Sequence, residues 1–296
     1  MADPSLDPDA VGLIAASALL HAGWNLLLKR AGGSQLVVAM SKVAEAIVFA
    51  PIFFLTARDG LPPATRVAFL VGIAATGVLG NYVALAAAYR RSDLSLVYPV
   101  SRGAALVFLP LLGAITLGEH LGVVALSALV LIVAGIVVLQ LPALSGAAVR
   151  SLARSMRQPA IGFAVLAAFL TATYTVWDKY ALREMPPFAY MYLYTVVVAA
   201  AYGGWLLRYA SLEERRTTWQ AHRGAILGIG VMNMVSYGLT LVALRQGTSS
   251  LVIGLRQLSI VAGVLLGWLI LKESISWPRR IGVAMIATGC VLIAIR

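Results

Sequence analysis

The sequence predicts an all-α integral membrane protein with ten transmembrane helices in two inverted five-helix repeats. Three observations support this prediction: the composition, the number of long apolar segments and an internal duplication. Of the 296 residues, 60% are hydrophobic and only 12% are charged, and the mean hydropathy is +0.89. These values exclude an ordinary soluble globular domain.

Ten apolar segments have the length of about 20 residues that a bilayer-spanning helix needs. We predict spans at residues 11–30, 36–57, 67–89, 94–117, 121–141, 160–181, 187–208, 222–244, 249–271 and 279–295. The first repeat is predicted at residues 11–141 and the second at residues 159–296. Residues 142–158 form the linker, because Pro, Ser, Gly and Arg interrupt the apolar pattern there.

The duplication becomes visible when residues 91–119 are shifted by 154 positions. Nine of these 29 positions are then identical to residues 245–273, including Arg102 with Arg256 and Glu119 with Glu273. Because five crossings is an odd number, the second repeat starts on the opposite face of the membrane. At 1.5 Å per residue, each arginine lies roughly 10–12 Å into its helix. We therefore expect the two guanidiniums to approach the membrane midplane from opposite faces.

The ten apolar helices, with the endings LGE after helix 4 and LKE after helix 9, resemble the EamA-type branch of the drug/metabolite transporter superfamily. The resemblance covers essentially the whole chain. It implies a secondary transporter or exporter of small metabolites that works by alternating access. It implies no particular substrate, because that superfamily carries amino acids, sugars, nucleotide sugars, triose phosphates and drugs. The glutamate that small multidrug members carry in their first helix is absent, and His21 lies in that helix instead.

Charged side chains inside the apolar spans are the first candidates for a substrate site, since each costs about 2.5–3.5 kcal/mol on insertion scales. Arg102 and Arg256 suit a carboxylate or phosphate, or alternatively bond free backbone carbonyls. Lys42 and Glu45 share one face of helix 2, either as a structural ion pair or as a third cation with its counter-ion. These four residues leave two net positive charges. That excess favours an anionic or zwitterionic substrate.

Uncharged polar side chains complete the predicted substrate-binding set, with hydrogen bonding between helices as the alternative for each. His21 is also a candidate proton carrier, because imidazole titrates near neutral pH. Glu45 is the other candidate for proton coupling. The remaining predicted site residues are Trp24, Asn25, Asn81, Tyr82, Asn233, Tyr237 and Gln257.

Other charged residues are expected to have structural roles. Lys29, Asp178 and Lys179 lie near predicted helix ends, where we expect them to reach the lipid headgroups. Glu119 and Glu273 are expected to stabilise the N-terminus of the helix that follows each. The net charge of +11 comes from short basic clusters between spans, which are typical of topology determinants rather than of a nucleic-acid site.

Catalytic and cofactor-binding patterns are missing from the sequence. There is no HExxH, GxSxG, CxxC or phosphate-cradling glycine motif, and the chain has three His and one Cys. We therefore predict no enzyme activity, no metal site and no cofactor.

The sequence thus predicts a multi-pass transporter in the cell (inner) membrane, with the lipid bilayer and a small-molecule substrate as partners. A proton is the candidate coupling ion, and a monomer is compatible with the sequence. Two alternatives stay open: an exporter of neutral or amphipathic compounds and, more remotely, a membrane enzyme or scaffold protein. The basic residues between the spans favour termini on the outer side of the membrane.

Overall fold

The computed structural model describes residues 6–56, 61–92 and 94–295, which form twelve α-helices and no strand. Residues 57 and 296, the predicted ends of helix 2 and of the second repeat, lie outside the described residues. The helices are α1 (Pro8–Arg30), α2 (Gln35–Thr56), α3 (Ala64–Tyr89), α4 (Leu94–Leu117), α5 (Val123–Leu139), α6 (Gly146–Ser155), α7 (Pro159–Ala181), α8 (Pro187–Tyr209), α9 (Leu212–Gln246), α10 (Ser249–Leu255), α11 (Leu258–Leu271) and α12 (Trp277–Ala294).

The predicted membrane helices are confirmed. In the described part of the chain, nine helical segments are long and apolar enough to cross a membrane, and α5 is a shorter apolar helix. Helices satisfy their own backbone hydrogen bonds, which is the condition for crossing the hydrocarbon region. The chain is therefore an all-helical, multi-pass membrane protein.

Two helices differ from the prediction. α9 begins at Leu212, ten residues before the predicted start, because Ser211 and Glu214 form a capping box. The Ser211 hydroxyl accepts the Glu214 amide at 3.1 Å, and the Glu214 carboxylate accepts the Ser211 amide at 2.7 Å. The predicted membrane span at 249–271 is confirmed, but it is divided into α10 and α11 at Arg256 and Gln257.

The predicted linker also contains a helix. α6 lies within residues 142–158, and its N-terminal cap is Ser145, whose hydroxyl accepts the Ala148 amide at 3.2 Å. Arg150 and Arg154 lie on this helix. α6 therefore joins the two groups of five apolar segments as a short basic helix.

The packing between the two halves has two-fold pseudo-symmetry. α1 packs against α9 and α11, while α7, its counterpart, packs against α3 and α4. α5 crosses α12 at glycines: a Cβ on Gly135 would lie 2.8 Å from the carbonyl oxygen of Gly282, and one on Gly289 would lie 2.8 Å from that of Ala128. The shift of 154 residues exchanges these two contacts. Small residues permit such close approach of helices.

The direction of successive helices defines two membrane faces. α1 begins and α12 ends at one face, which we call the terminal face. α6 lies at the opposite face, which we call the linker face. Between them, α1, α4, α7, α9 and the broken pair α10–α11 contribute side chains to a central cavity.

Candidate functional site

A small central cavity brings the two repeat-related arginines together. Arg102 reaches it from α4, and Arg256 reaches it from the break between α10 and α11. The cavity has a volume of about 20 Å³, which is room for about one water molecule. His21, Tyr237 and Gln257 also line this cavity, which we call the arginine cavity. The two guanidiniums thus converge as the inverted repeat predicts, whereas their role in substrate binding stays a prediction.

The guanidiniums of the arginine cavity have no carboxylate partner among the described residues. Arg256 donates from Nη2 to Nδ1 of His21 at 3.1 Å, so that ring nitrogen carries no proton. The Nε of Arg256 is buried and has no hydrogen-bond partner among the described residues. An unsatisfied donor on a buried cation favours a ligand that accepts hydrogen bonds.

Aromatic rings face both arginines. The Cζ of Arg102 lies 5.3 Å from the ring centre of Tyr98, and the Cζ of Arg256 lies 5.2 Å from that of Tyr237. Such cation–π contacts stabilise a guanidinium by about 0.5–2 kcal/mol. They leave its charge unneutralised, so the cavity stays electropositive.

A larger cavity adjoins the arginine cavity on the side of the linker face. This vestibule has a volume of about 260 Å³ and is lined by Asn25, Tyr98, Glu273 and Arg279, among others. His21 and Ser259 line both cavities. A solute that enters the vestibule from the linker face would therefore meet His21 before it meets the arginines.

The terminal face is closed by a hydrogen-bonded cluster around Glu119. Its carboxylate accepts Lys179 Nζ at 2.5 Å, the Ser249 amide at 2.9 Å and the Ser249 hydroxyl at 2.5 Å. Lys179 also donates to the Gly247 carbonyl at 2.7 Å. Two expectations are corrected here. Lys179 is held inside the protein because Glu119 binds it, and Glu119 stabilises the start of α10 in the other half rather than the helix that follows it.

The counterpart of this cluster at the linker face is exposed. Lys29 forms an ion pair with Glu273, and these residues correspond to Lys179 and Glu119 in the other half. The side chains of Lys29 and Glu273 are 61% and 38% exposed, against 18% and 8% for Lys179 and Glu119. The structure is therefore closed at the terminal face and open at the linker face.

Lys42 and Glu45 lie in a separate polar cluster. Their side chains form an ion pair of 2.9 Å, and Asn233 of α9 donates to the Glu45 carboxylate at 3.1 Å. Neither Lys42 nor Glu45 lines the arginine cavity or the vestibule. The structure therefore does not bring these predicted site residues to the arginines.

Two predicted site residues of α3 lie away from the arginines. Asn81 donates to the Ala167 carbonyl at 2.8 Å and to the Thr171 hydroxyl at 2.9 Å, which joins α3 to α7. Tyr82 packs edge-to-face against Tyr202, with ring centres 5.9 Å apart. Both contacts are those of residues that hold helices together.

The remaining predicted residues surround His21 or the helix break. Trp24 packs edge-to-face on the His21 ring at 5.0 Å, and its buried Nε1 has no partner among the described residues. Asn25 donates to the His21 carbonyl at 2.7 Å. Gln257 donates to the Ile253 carbonyl at 2.9 Å. His21, Asn25 and Gln257 line the arginine cavity or the vestibule, whereas Trp24 lines neither and contacts the site through His21.

Asp178 is the residue that the sequence interpretation missed. Instead of reaching the headgroups, it is buried with 1% exposure near the end of α7. One carboxylate oxygen accepts the Tyr190 hydroxyl at 2.7 Å, and the other accepts the Tyr237 hydroxyl at 2.6 Å. Tyr237 on α9 was among the site residues predicted from the sequence. Because a buried tyrosine hydroxyl usually has a hydrogen-bond acceptor, Tyr237 was the residue that could have indicated a buried carboxylate nearby.

Comparison with known proteins supports the fold and relates the second half of the chain to a transporter family. Residues 158–295 match the model of the EamA-like transporter family. One solved crystal structure aligns with 97% of this chain and 96% of its own, with a TM-score of 0.76 and 17% sequence identity. At this identity the likeness shows the shared fold. No curated protein matches the chain.

Proposed function

Because residues 158–295 match the EamA-like transporter family, we propose that this chain is an EamA-type secondary transporter of a small anionic or zwitterionic solute. The family match supports a transporter role rather than an enzymatic one. The proposed substrate class is a carboxylate, an amino acid, or a phosphorylated or phosphonate metabolite. The cell membrane is the proposed location.

The observation that carries the substrate class is the pair of guanidiniums without a carboxylate partner. Lys42 and Glu45 compensate each other, and Asp178 offsets one of the two arginines. One uncompensated positive charge then remains beside the arginine cavity. A buried charge in low dielectric requires a counter-charge or water. An anion between Arg102 and Arg256 would supply that charge and would accept the free Nε donor of Arg256.

The size of the cavities indicates how the solute would bind. Small-molecule sites in proteins typically enclose roughly 300–1,000 Å³, and the arginine cavity alone is far smaller, at about 20 Å³. The vestibule of about 260 Å³ supplies most of the missing room. We propose that the body of the solute occupies the vestibule while its anionic group reaches the arginines as the arginine cavity widens.

The two repeat-related ion pairs suggest the alternating-access step. In the opposite state, Glu273 and Lys29 would close the linker face in the way that Glu119 and Lys179 close the terminal face here. Rocking of one repeat against the other around a fixed central site is the usual motion of inverted-repeat transporters. Both ion pairs are formed in this structure, so the step would break the additional hydrogen bonds of Glu119 to Ser249 at the terminal face and would bury the Lys29–Glu273 pair at the linker face.

An exporter of neutral or amphipathic compounds is the rival function. The rings of Tyr98 and Tyr237 over the arginines are the observation in its favour, because aromatic walls suit apolar solutes. In that case the guanidiniums would be structural groups.

Transport in proteoliposomes tests the proposal. Anionic metabolites that raise the thermal stability of the purified protein would be assayed by counterflow in wild type, Arg102→Gln and Arg256→Gln. We expect each substitution to lower anion transport by about tenfold or more, since a hydrogen bond to a charged group is worth about 1.5–3 kcal/mol. Arg245→Gln is the matched control, because Arg245 is exposed and lies outside both cavities. We expect it to transport normally.

Two results would reject the anion site. One is full anion transport by both arginine variants. The other is a thermal-shift response confined to neutral or amphipathic compounds whose transport survives both substitutions, which would establish the rival function.

A further inference from the structure

We infer that Asp178 is a proton-binding site coupled to the arginine cavity through Tyr237, so that a proton and an anion bind the protein cooperatively. This inference rests on the proposed function for the anion, whereas the proton site itself is testable without any substrate. Asp178 belongs to neither cavity and was absent from the predicted binding residues.

The partners of Asp178 are neutral. Its two oxygens accept the hydroxyls of Tyr190 and Tyr237, and no Lys, Arg or His side chain forms an ion pair with it among the described residues. Lys179 is adjacent in sequence but is bound by Glu119. A buried carboxylate without a cation is the kind of group that binds a proton within the physiological range.

The elements around Asp178 contribute few other charges. Tyr190 and Tyr194 face it from α8, Tyr237 faces it from α9, and Tyr174 lies one turn earlier on α7. α10, which also packs on α7, contains no titratable residue.

The other helices that pack on α7 are α3 and α4. Their titratable side chains are those of Arg66, Tyr82, Tyr89, Tyr98 and Arg102. Of these, Arg66 is bound to Glu184, and Arg102 lines the arginine cavity.

Tyr237 connects this carboxyl group to the arginine cavity. Its hydroxyl donates to Asp178, its ring lies 5.2 Å from the Cζ of Arg256, and the residue lines the cavity. The carboxylate oxygen of Asp178 that accepts the Tyr237 hydroxyl can take up a proton from solution. That oxygen then becomes a hydrogen-bond donor to the hydroxyl oxygen of Tyr237. The hydroxyl hydrogen of Tyr237 is then free to turn toward another acceptor. Protonation thus changes a hydrogen bond at the cavity wall.

Charge gives the direction of the coupling. Protonation of Asp178 removes the one negative charge that offsets the two arginines, so the positive potential at the arginine cavity rises. An anion then binds more tightly, and by thermodynamic linkage a bound anion strengthens proton binding by the same factor. The two ligands would therefore cross the membrane in the same direction.

The two groups predicted from sequence as proton carriers are less suited to this role. His21 accepts a hydrogen bond from Arg256, and a proton on that nitrogen would remove the acceptor and add a cation beside two guanidiniums. Glu45 already has Lys42 at 2.9 Å and Asn233 as partners, and the pair lies outside both cavities.

Infrared difference spectroscopy of the purified protein, with no ligand added, tests the proton site. Spectra taken between roughly pH 5 and pH 8, the range of a perturbed carboxyl, should show the carbonyl stretch of a protonated carboxylic acid in wild type. We expect this band to disappear in Asp178→Asn. In Tyr237→Phe the band should persist with a larger protonated fraction at each pH, because the carboxylate loses a donor.

Glu184→Gln is the matched control for the infrared band. Hydrogen bonds from Arg66 lower the pKa of the Glu184 carboxyl below its usual value, and that residue lies outside the membrane-spanning helices. Because its pKa is depressed, Glu184 stays ionised until the solution becomes more acidic than an ordinary glutamate requires. The band in this range should therefore be unchanged. A band that survives Asp178→Asn would overturn the proton site, and an unaltered titration in Tyr237→Phe would overturn the link to Tyr237.

Binding of methanesulfonate, whose charge is constant in this pH range, tests the coupling. Wild type should bind it about fivefold or more tightly at the acidic end, the lower part of the usual range of coupling between sites. Asp178→Asn resembles the protonated acid and should bind it with the same affinity at both ends. Affinity that still depends on pH in this variant would disprove the coupling. If methanesulfonate binds wild type at neither pH, the anion site and the coupling both fail, while the infrared band still decides the proton site.

Discussion

At the scale of single residues, the sequence located the arginines but not their surroundings. Arg102 and Arg256 could be placed at similar depths because the rise of an α-helix per residue is constant. The burial of Asp178 could not be predicted in this way, because it depends on Tyr237, which is 59 residues away in the chain and belongs to another helix. Periodicity within one segment contains no information about such a partner.

The Lys42–Glu45 pair yields a prediction at this scale. Removing one partner by Lys42→Met leaves an uncompensated carboxylate on Glu45, which is 2% exposed, and this typically costs about 3–5 kcal/mol. We expect Lys42→Met to lower the thermal stability of the purified protein strongly. The double variant Lys42→Met/Glu45→Leu should recover most of that loss and should still transport the substrate, because the pair lies outside both cavities.

Transport measurements decide between the two roles of this pair. A stable double variant that no longer transports would show that Lys42 or Glu45 acts on the substrate. Stability lost equally in the single and the double variant would show that the pair itself, rather than an unbalanced charge, holds α2 in place.

At the scale of elements, the duplicated sequence forms the same turn twice. The amide of Glu119 donates to the Gly113 carbonyl at 3.1 Å, and that of Glu273 donates to the Gly267 carbonyl at 3.2 Å. Gly118 and Lys272 precede the glutamates with left-handed φ values of 66° and 55°. The turn could be anticipated from the repeated residues. The break between α10 and α11 could not be anticipated, because no proline lies in residues 249–271 and the helical periodicity continues through Arg256.

The glycines of these two turns should differ in their tolerance of a side chain. A Cβ on Gly113 would lie 2.6 Å from the Glu119 carboxylate, which Lys179 and Ser249 hold in place. A Cβ on Gly267 would lie 3.1 Å from the more exposed carboxylate of Glu273.

We therefore expect Gly113→Ala to lower the melting temperature of the purified protein clearly more than Gly267→Ala does. Overpacking typically costs about 1–3 kcal/mol where the neighbour cannot move. Equal melting temperatures for the two variants would mean that the Glu119 cluster does not hold the terminal face shut.

At the scale of the whole molecule, the architecture was predictable and the conformational state was not. Ten apolar segments and a shift of 154 residues specify two repeats that pack with pseudo-symmetry, as the exchanged contacts of Gly135 and Gly289 illustrate. The two states of an alternating transporter share one sequence and one symmetry. Which face is closed depends on a small difference in free energy between the two states, and no local sequence pattern predicts that difference.

This difference can be shifted by removing one carboxylate charge. Glu119→Gln weakens the closed terminal face, because the carboxylate there accepts an ammonium, an amide and a hydroxyl. A cysteine in place of Thr248, which is 7% exposed at the start of α10, would report the opening. In a Cys290→Ser background in nanodiscs, we expect Glu119→Gln to raise the labelling rate of this cysteine by a soluble maleimide by about tenfold or more.

The repeat-related variant Glu273→Gln is the control that makes this measurement specific to one face. It removes the same charge from the pair that is already exposed, so the terminal face keeps its cluster and the cysteine at position 248 should stay protected. If both substitutions raise labelling equally, the two ion pairs do not act on separate faces and the alternating role of the pairs is wrong. If only Glu119→Gln raises labelling, the Glu119 cluster closes the terminal face independently of the Lys29–Glu273 pair.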